Sequence, residues 1–94
     1  MTTISRPMRK DEQSIPQLVH EIVGHLVDDE AAIRVECLDG NEGVTMLNVH
    51  VASSDTGKLI GKQGRTARSL RTILSAVSMK LHHRYALHIE EDES

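Results

Sequence analysis

The feature that most constrains this chain is a nine-residue run, Gly57-Lys58-Leu59-Ile60-Gly61-Lys62-Gln63-Gly64-Arg65. Within it, Gly61 and Gly64 flank two polar residues. Glycine lets a backbone turn tightly and lets a large molecule come close, because it has no Cβ. The run also carries three cations, and a regular helical pattern follows it over residues 66–81. We therefore expect a tight basic turn at the start of a long helix, suited to a polyanion such as a phosphodiester backbone.

The charges of the chain are segregated along its sequence. The formal net charge is −3, but residues 57–84 contain no acidic side chain, and all fourteen acidic residues lie elsewhere. The cations of this segment are Lys58, Lys62, Arg65, Arg68, Arg71, Lys80 and Arg84. Because salt confines each field to about 10 Å, local sign matters more than net charge for binding a polyanion. The alternative interpretation is a solvated helix face, and it fits Arg71 and Lys80 best.

The composition limits which class of protein this chain can belong to. A chain of 94 residues forms one small domain. With no Trp or Phe and a single Tyr, its core must be aliphatic. Cys37 is alone, so no internal disulfide is expected and a reducing compartment is favoured. No stretch approaches the roughly 20 apolar residues that cross a bilayer, and residues 1–13 do not resemble a signal peptide. We expect a cytoplasmic protein without a membrane segment.

The hydrophobic pattern predicts an α+β fold with the order α-β-β-α-α-β. Residues 1–13 are expected to be a flexible lead-in, residues 14–91 a single domain and residues 92–94 an acidic tail. The first helix is predicted to begin at Ser14, with Pro16 in its first turn. Its predicted core stripe is Ile15, Leu18, Val19, Ile22, Val23, Leu26 and Val27.

Three predicted strands form the sheet. Alternating apolar residues place the first two strands around Val35 and Val49, joined as an antiparallel hairpin, and the third around Leu87. A very short helix is predicted to end at Gly61, and the long helix follows the turn. The apolar stripe predicted for the long helix is Ala67, Leu70, Ile73, Leu74, Val77 and Leu81. Arg65 and Arg68 fall opposite that stripe and are expected to face solvent.

Several other chemistries are excluded by spacing. A P-loop needs four residues between its first glycine and its Gly-Lys pair, followed by Ser or Thr. Here only three residues separate Gly57 from Gly61-Lys62, and Gln63 follows. The six histidines and single cysteine show no zinc-ligand spacing, and no catalytic constellation is legible. We expect a protein that is not an enzyme and that needs no cofactor or metal.

The run Ile60-Gly61-Lys62-Gln63-Gly64, between a short helix and a long one, resembles the GxxG core of KH domains. The element order resembles the type II KH arrangement, with a three-stranded sheet packed against helices. The full run from Gly57 to Arg65 resembles the signature of the KhpA family of small bacterial proteins with a single KH domain. This resemblance extends over about residues 14–91.

The resemblance implies a protein that binds single-stranded RNA. In KH domains the GxxG loop clamps the backbone of about four nucleotides, and the bases lie in an apolar groove. It implies close backbone approach at Gly61 and Gly64, phosphate contacts from the other polar loop residues, and a groove lined by Ile60. The expected RNA-binding set is Lys58, Ile60, Gly61, Lys62, Gln63, Gly64, Arg65 and Arg68. Ala67 replaces a larger aliphatic residue of many KH domains, and aromatic stacking platforms are nearly absent, so binding is expected to be weak and sequence-tolerant.

The resemblance also implies a cellular role and partners. The implied role is that of a post-transcriptional regulator or RNA chaperone connected with cell elongation and cell shape. The implied partners are a second copy of the chain, in a homodimer, and a larger KhpB-type KH protein. The alternative function is a protein-interaction module whose basic helix docks on an acidic partner. Two single residues also have structural alternatives to RNA binding. Gly61 is alternatively a helix cap only, and Ile60 is alternatively a core residue.

Overall fold

A mixed sheet with helices packed on one face makes up the part of the chain that the computed structural model describes, namely the backbone of residues 2–4 and 10–91 and the side chains of residues 15–91. The elements are β1 (Thr2–Ile4), α1 (Lys10–Gly24), β2 (Arg34–Asp39), β3 (Val44–His50), α2 (Thr56–Ile60), α3 (Arg65–Leu81) and β4 (Arg84–Ile89). Single 3₁₀ turns precede α2 at Ser53–Asp55 and α3 at Lys62–Gly64.

The strand order in the sheet is β1-β2-β3-β4. β2 and β3 form an antiparallel hairpin in which Cys37 lies opposite Leu47. β4 runs parallel to β3, with Leu87 beside Leu47, because the connection through α2 and α3 crosses the sheet before the chain returns. Among the described strands, β4 is therefore an edge strand, and α3 packs against it.

Among the described residues, the core is aliphatic apart from Tyr85 and Cys37. Alternate residues of β3 are buried, as expected for a sheet covered on one face. Both long helices contribute a buried stripe to this core. Its largest fully buried side chains include Ile33, Leu47, Leu59, Val23, Val35 and Val49. Burial of Leu59 fixes α2 to the core, so the turn that follows α2 starts from a rigid point.

The predicted α+β class and the order α-β-β-α-α-β are confirmed. The hairpin, the short helix ending before Gly61, the long helix and its return strand all lie where the sequence places them. A further strand, β1, pairs in parallel with β2 and adds a fourth strand to the three predicted. Three residues are too few to show a strand periodicity, so this pairing has no local signal in the sequence.

The N-terminal part of the fold differs from the sequence prediction. Residues 1–13 are predicted as a flexible lead-in, yet Thr2–Ile4 forms β1 and α1 begins at Lys10. Pro16 lies inside α1 rather than in its first turn. Helix-favouring residue types upstream of Ser14 extend the helix, although Pro16 removes one backbone donor from it. Residues 1 and 5–9 of the lead-in and the predicted tail at 92–94 lie outside the described residues.

The apolar stripes of the two long helices are wider than the buried surface they supply. Leu18 of α1 is 38% exposed, Leu26, which follows the end of α1, is 36% exposed, and Ile73 of α3 is 48% exposed. Helical periodicity identifies the face of a helix, but how far the neighbouring elements cover that face depends on tertiary packing. The burial of α3 centres on Ala67, Leu70 and Leu74, and Ile73 lies at the margin.

Candidate functional site

The turn between α2 and α3 is built from two glycine-dependent hydrogen bonds. The Gly61 N–H donates to the Gly57 carbonyl at 2.9 Å and ends α2. The Gly64 N–H then donates to the Gly61 carbonyl at 3.1 Å, which closes a 3₁₀ turn directly before α3. The chain reverses direction within four residues, so Lys62 and Gln63 stand at the tip, both exposed.

Gly61 has no substitute at its position. Its φ of +81° and ψ of +168° are a combination open essentially to glycine alone. A Cβ there would also lie 2.8 Å from the backbone nitrogen of Thr66 and 2.7 Å from its Cβ, and closer still to Oγ1. The start of α3 therefore packs directly on the Gly61 backbone. Gly61 thus caps α2 and also allows this close packing.

Gly64 and Gln63 both adopt left-handed conformations, with φ of +72° and +58°. A Cβ on Gly64 would meet nothing within 4 Å, so its requirement is conformational and its surroundings are open. Left-handed backbone is uncommon for a residue such as Gln63. It turns the peptide groups of the tip outward, and the N–H groups of Lys62 and Gln63 have no hydrogen-bond acceptor among the described residues.

Two arginines of α3 brace the tip. Arg65 Nη2 donates to Gln63 Oε1 at 3.3 Å, and Arg68 Nη2 donates to the Gln63 carbonyl at 3.4 Å. Both arginines are exposed, as the sequence predicts. Their remaining N–H groups and the Lys62 ammonium give the turn a concentrated positive charge.

Lys58 has a different environment from the other cations of the run. Its ammonium pairs with a carboxylate oxygen of Asp28 and, at 3.4 Å, with Oδ1 of Asp55. The Asp55 residue is 1% exposed, and its other carboxylate oxygen accepts the Asp29 N–H at 2.9 Å. The backbone N–H of Asp29 lowers the pKa of Asp55, and Lys58 lowers it further, while the hydrogen bond to Asp28 raises the pKa of Lys58. Lys58 therefore ties α2 to the segment after α1, and its charge is compensated there.

A groove of about 280 Å³ opens beside the turn. One wall comes from the turn and α3, and the other from the end of β4. The lining residues are Ile60, Gly64, Ala67, Arg71, His88, Ile89 and Glu91. Ile60 is partly buried against the core and also lines this groove, so both alternatives for Ile60 are true at once.

The comparisons with known proteins agree with this geometry. Residues 16–89 match the family model described as KhpA/KhpB, KH domain. The chain belongs to the KhpA/KhpB KH-domain family. It is similar to the RNA-binding protein KhpA of Treponema pallidum, with 47% identity over 78% of this chain and 90% of the relative. For the RNA-binding protein KhpA of Borreliella burgdorferi the identity is 40% over 78% and 88%, and for that of Bacillus subtilis it is 41% over 73% and 84%.

Within this KH domain the structure brings seven of the eight predicted site residues to the turn and the adjoining groove. They are Ile60, Gly61, Lys62, Gln63, Gly64, Arg65 and Arg68. Lys58 lies one turn back along α2, in the ion pairs with Asp28 and Asp55.

Arg71, His88, Ile89 and Glu91 line the groove and are absent from the predicted set. A signal for Arg71 exists, because Gly64, Ala67 and Arg71 follow the i, i+3, i+7 spacing of one helix face. No comparable signal exists for the three residues at the end of β4, since the order of strands in a sheet is not legible from one sequence.

Two further structural findings concern other functions. None of the helices in the described part of the chain combines the length and the apolar character that crossing a membrane requires. No group of three or more His, Cys, Asp or Glu side chains within residues 15–91 is arranged to hold a metal ion.

Proposed function

We propose that this chain is a single-stranded RNA-binding protein whose Gly61–Gly64 turn clamps the sugar-phosphate backbone. Membership of the KhpA/KhpB KH-domain family and the similar proteins named RNA-binding protein KhpA support this function. The observation that carries the clamp is the turn itself, where uncommitted backbone donors at Lys62 and Gln63 stand beside exposed cations.

The turn suits a phosphate for three physical reasons. Gly64 has no side chain and its surroundings are open, so a phosphate can approach the backbone there. The N-terminus of α3, a helix of 17 residues, carries partial positive charge that favours an anion. Lys62, Arg65 and Arg68 then supply full positive charges around the same point. Lys58 contributes less to binding in this proposal, because Asp28 and Asp55 compensate its charge.

The bases of the bound strand lie in the groove beside the turn. Ile60, Ala67 and Ile89 give that groove an apolar lining, on which a base loses water contact. No Phe, Tyr or Trp lines it, and base stacking on an aromatic ring contributes about 1–3 kcal/mol in proteins that use it. We therefore expect modest affinity from one domain.

We extend the proposal to a cellular role, which family membership supports. The chain acts without enzymatic activity, as a post-transcriptional regulator or RNA chaperone in the cytoplasm, with a role in cell elongation and cell shape. Because a single domain binds weakly, a homodimer or a complex with a larger KhpB-type KH protein would add a second RNA site and raise the affinity through effective concentration.

The experiment that tests the function is a titration of fluorescent single-stranded RNA of about eight nucleotides, twice the four that a KH loop clamps. Anisotropy is measured over a salt series from about 50 to 200 mM, with polyglutamate as competitor. We expect a linear decrease of log affinity with log salt, and no displacement by polyglutamate at equal charge. Absence of RNA binding contradicts the proposal. Displacement by polyglutamate at equal charge would instead support the alternative, an acid-docking interaction module.

A further inference from the structure

Arg71 bridges the groove from α3 to the edge strand. Its Nε donates to the Leu87 carbonyl at 3.4 Å, and the residue lines the groove with Ile60 and Ala67. Nη1 and Nη2 have no hydrogen-bond partner among the described residues. The guanidinium is thus held at one nitrogen, while the two terminal nitrogens keep their donors.

The free edge of β4 explains why the Leu87 carbonyl is available. Glu90 donates its N–H to the Val49 carbonyl of β3. In a parallel strand, successive residues direct their backbone groups to opposite sides. The backbone groups of Leu87 and Ile89 therefore face away from β3, toward α3 and the groove. Arg71 occupies one of these groups, so it lies at the wall where the edge of a base would meet β4.

The charges around the groove define which side takes phosphates and which takes bases. Lys62, Arg65 and Arg68 all lie on the side of the turn, whereas the β4 side ends in Glu90 and Glu91. A phosphate is repelled by these carboxylates and attracted to the turn. Arg71 lies between the two sides, so its terminal nitrogens meet the bases of a strand whose backbone follows the turn.

We propose, on the basis of the RNA-binding function proposed above, that Arg71 is a specificity-determining residue that reads one base of the bound strand. Two parallel donors at the end of a guanidinium match two adjacent acceptors on a base. Guanine presents such a pair at O6 and N7, and cytosine presents one at O2 and N3. Adenine and uracil have no two adjacent acceptors on their exposed edges. The groove therefore selects guanine or cytosine at one position.

Substitution by lysine separates this role from simple attraction. Arg71→Lys keeps the positive charge and most of the length but removes the planar pair of donors. If Arg71 only attracts phosphate or only ties α3 to β4, lysine changes the affinity for all sequences together. If Arg71 reads a base, lysine removes the preference and leaves the affinity for a sequence without guanine or cytosine largely unchanged.

The test measures dissociation constants for roughly eight-nucleotide uridine strands, twice the length a KH loop clamps, in which one central base is uracil, adenine, cytosine or guanine. We expect the parent protein to bind the guanine or cytosine strand at least about fivefold more tightly than the other two, the lower bound for a bidentate pair. In Arg71→Lys the four constants should converge to within about twofold, with the uridine constant close to the parent value. Arg84→Lys, the same change at an exposed arginine at the start of β4, should keep the preference.

The outcomes separate the two proposals. A base preference that survives in Arg71→Lys overturns the inference, as does a parent protein that binds all four strands equally, and in both cases RNA binding stands. A parent protein that binds none of the four strands removes the proposed function together with the inference. A thermal melt of each variant shows whether a uniform loss of affinity comes from unfolding.

Discussion

The two ends of α3 carry similar charges and differ in almost everything else. At its N-terminus are Lys62, Arg65 and Arg68 beside a groove of about 280 Å³. At its C-terminus Lys80 lies in the last turn, and His82 and Arg84 line a larger cavity of about 450 Å³. By cavity size alone, the C-terminal end would be the better binding site.

The backbone at the C-terminal end of α3 is less suited to binding an anion. His82 turns left-handed with φ of +53°, and the His83 N–H donates to the Ser78 carbonyl at 3.2 Å. The Ser78 hydroxyl accepts the Tyr85 N–H at 3.0 Å, so donors of the following segment are used within the fold. A helix C-terminus also carries partial negative charge, which repels a phosphate.

The two ends therefore differ in the partial charge of the helix terminus and in the backbone N–H groups left available for a ligand. These two properties distinguish the proposed site more than the number of cations does. Both turns contain left-handed residues, but the N-terminal one uses glycines and leaves the N–H groups of Lys62 and Gln63 without an acceptor among the described residues.

The largest effect is expected in the part of α3 that connects the two ends. Leu74→Ala removes a side chain that is buried in the core and should lower the free energy of unfolding by about 2–5 kcal/mol. Ile73→Ala changes an adjacent residue that is half exposed, and its cost should be clearly smaller. Chemical denaturation of both variants measures the difference, and equal losses would mean that the packed face of α3 has been assigned incorrectly.

A second prediction concerns Gly61. Gly61→Ala introduces a Cβ against the Thr66 backbone at a φ of +81°, so it should cost on the order of 1–3 kcal/mol of stability and reorient the start of α3. We expect a lowered melting temperature together with a loss of RNA affinity in the same variant. A protein with unchanged stability and affinity would show that the turn adapts easily and does not preorganise a clamp.

The third prediction uses two glycines with nearly equal positive φ. Gly64 and Gly43 have φ of +72° and +75°, and a Cβ at either position meets nothing within 4 Å. Gly64→Ala and Gly43→Ala should therefore each cost about 1–2 kcal/mol of stability. Only Gly64→Ala should weaken RNA binding in an anisotropy titration, because Gly43 lies in the β2–β3 hairpin. Equal losses of affinity would assign the effect to stability.

The fourth prediction separates the two lysines of the run from Gly57 to Arg65. Lys58→Met should lower stability, whereas Lys62→Met should mainly lower RNA affinity, because Lys58 is paired and Lys62 is exposed.

The effect of Lys58→Met on stability should depend on pH. The folded-state pKa of Asp55 is lowered, so the ionised carboxylate stabilises the fold above the unfolded pKa of about 3.9, and this contribution is lost as the pH falls through the folded pKa. The stability difference between the parent and Lys58→Met should thus shrink on acidification below about pH 4. A difference that is independent of pH would exclude the ion pairs as its cause.

The sequence contains enough information for the turn and the order of elements, and less for the walls of the groove. The turn at Gly61 and Gly64 can be predicted because two residues without a Cβ occur at a fixed spacing directly before a regular helical pattern. Arg71 is exposed, as the sequence predicts, but its Nε also bonds the Leu87 carbonyl. That bond could not be predicted, because tertiary pairing decides which strand packs beside a helix. The same limit applies to the compensated charge of Lys58, whose partner Asp28 lies thirty residues away.

The most direct test of the clamp reverses charge at each end of α3. Lys62→Asp/Gln63→Asp and Met79→Asp/Lys80→Asp lower the net charge equally, and all four residues are exposed. Asp tolerates the left-handed backbone at position 63, so the first variant should keep a stability within about 0.5 kcal/mol of the parent. The second variant places two carboxylates in the last turn of α3 and should lose about 0.6–2 kcal/mol of stability, which a thermal melt measures. The two ends are about 24 Å apart along the helix, well beyond the screening length of about 8–10 Å. We predict that the first variant loses binding of single-stranded RNA in an anisotropy titration while the second stays close to the parent, and equal losses in the two variants would contradict a localised clamp.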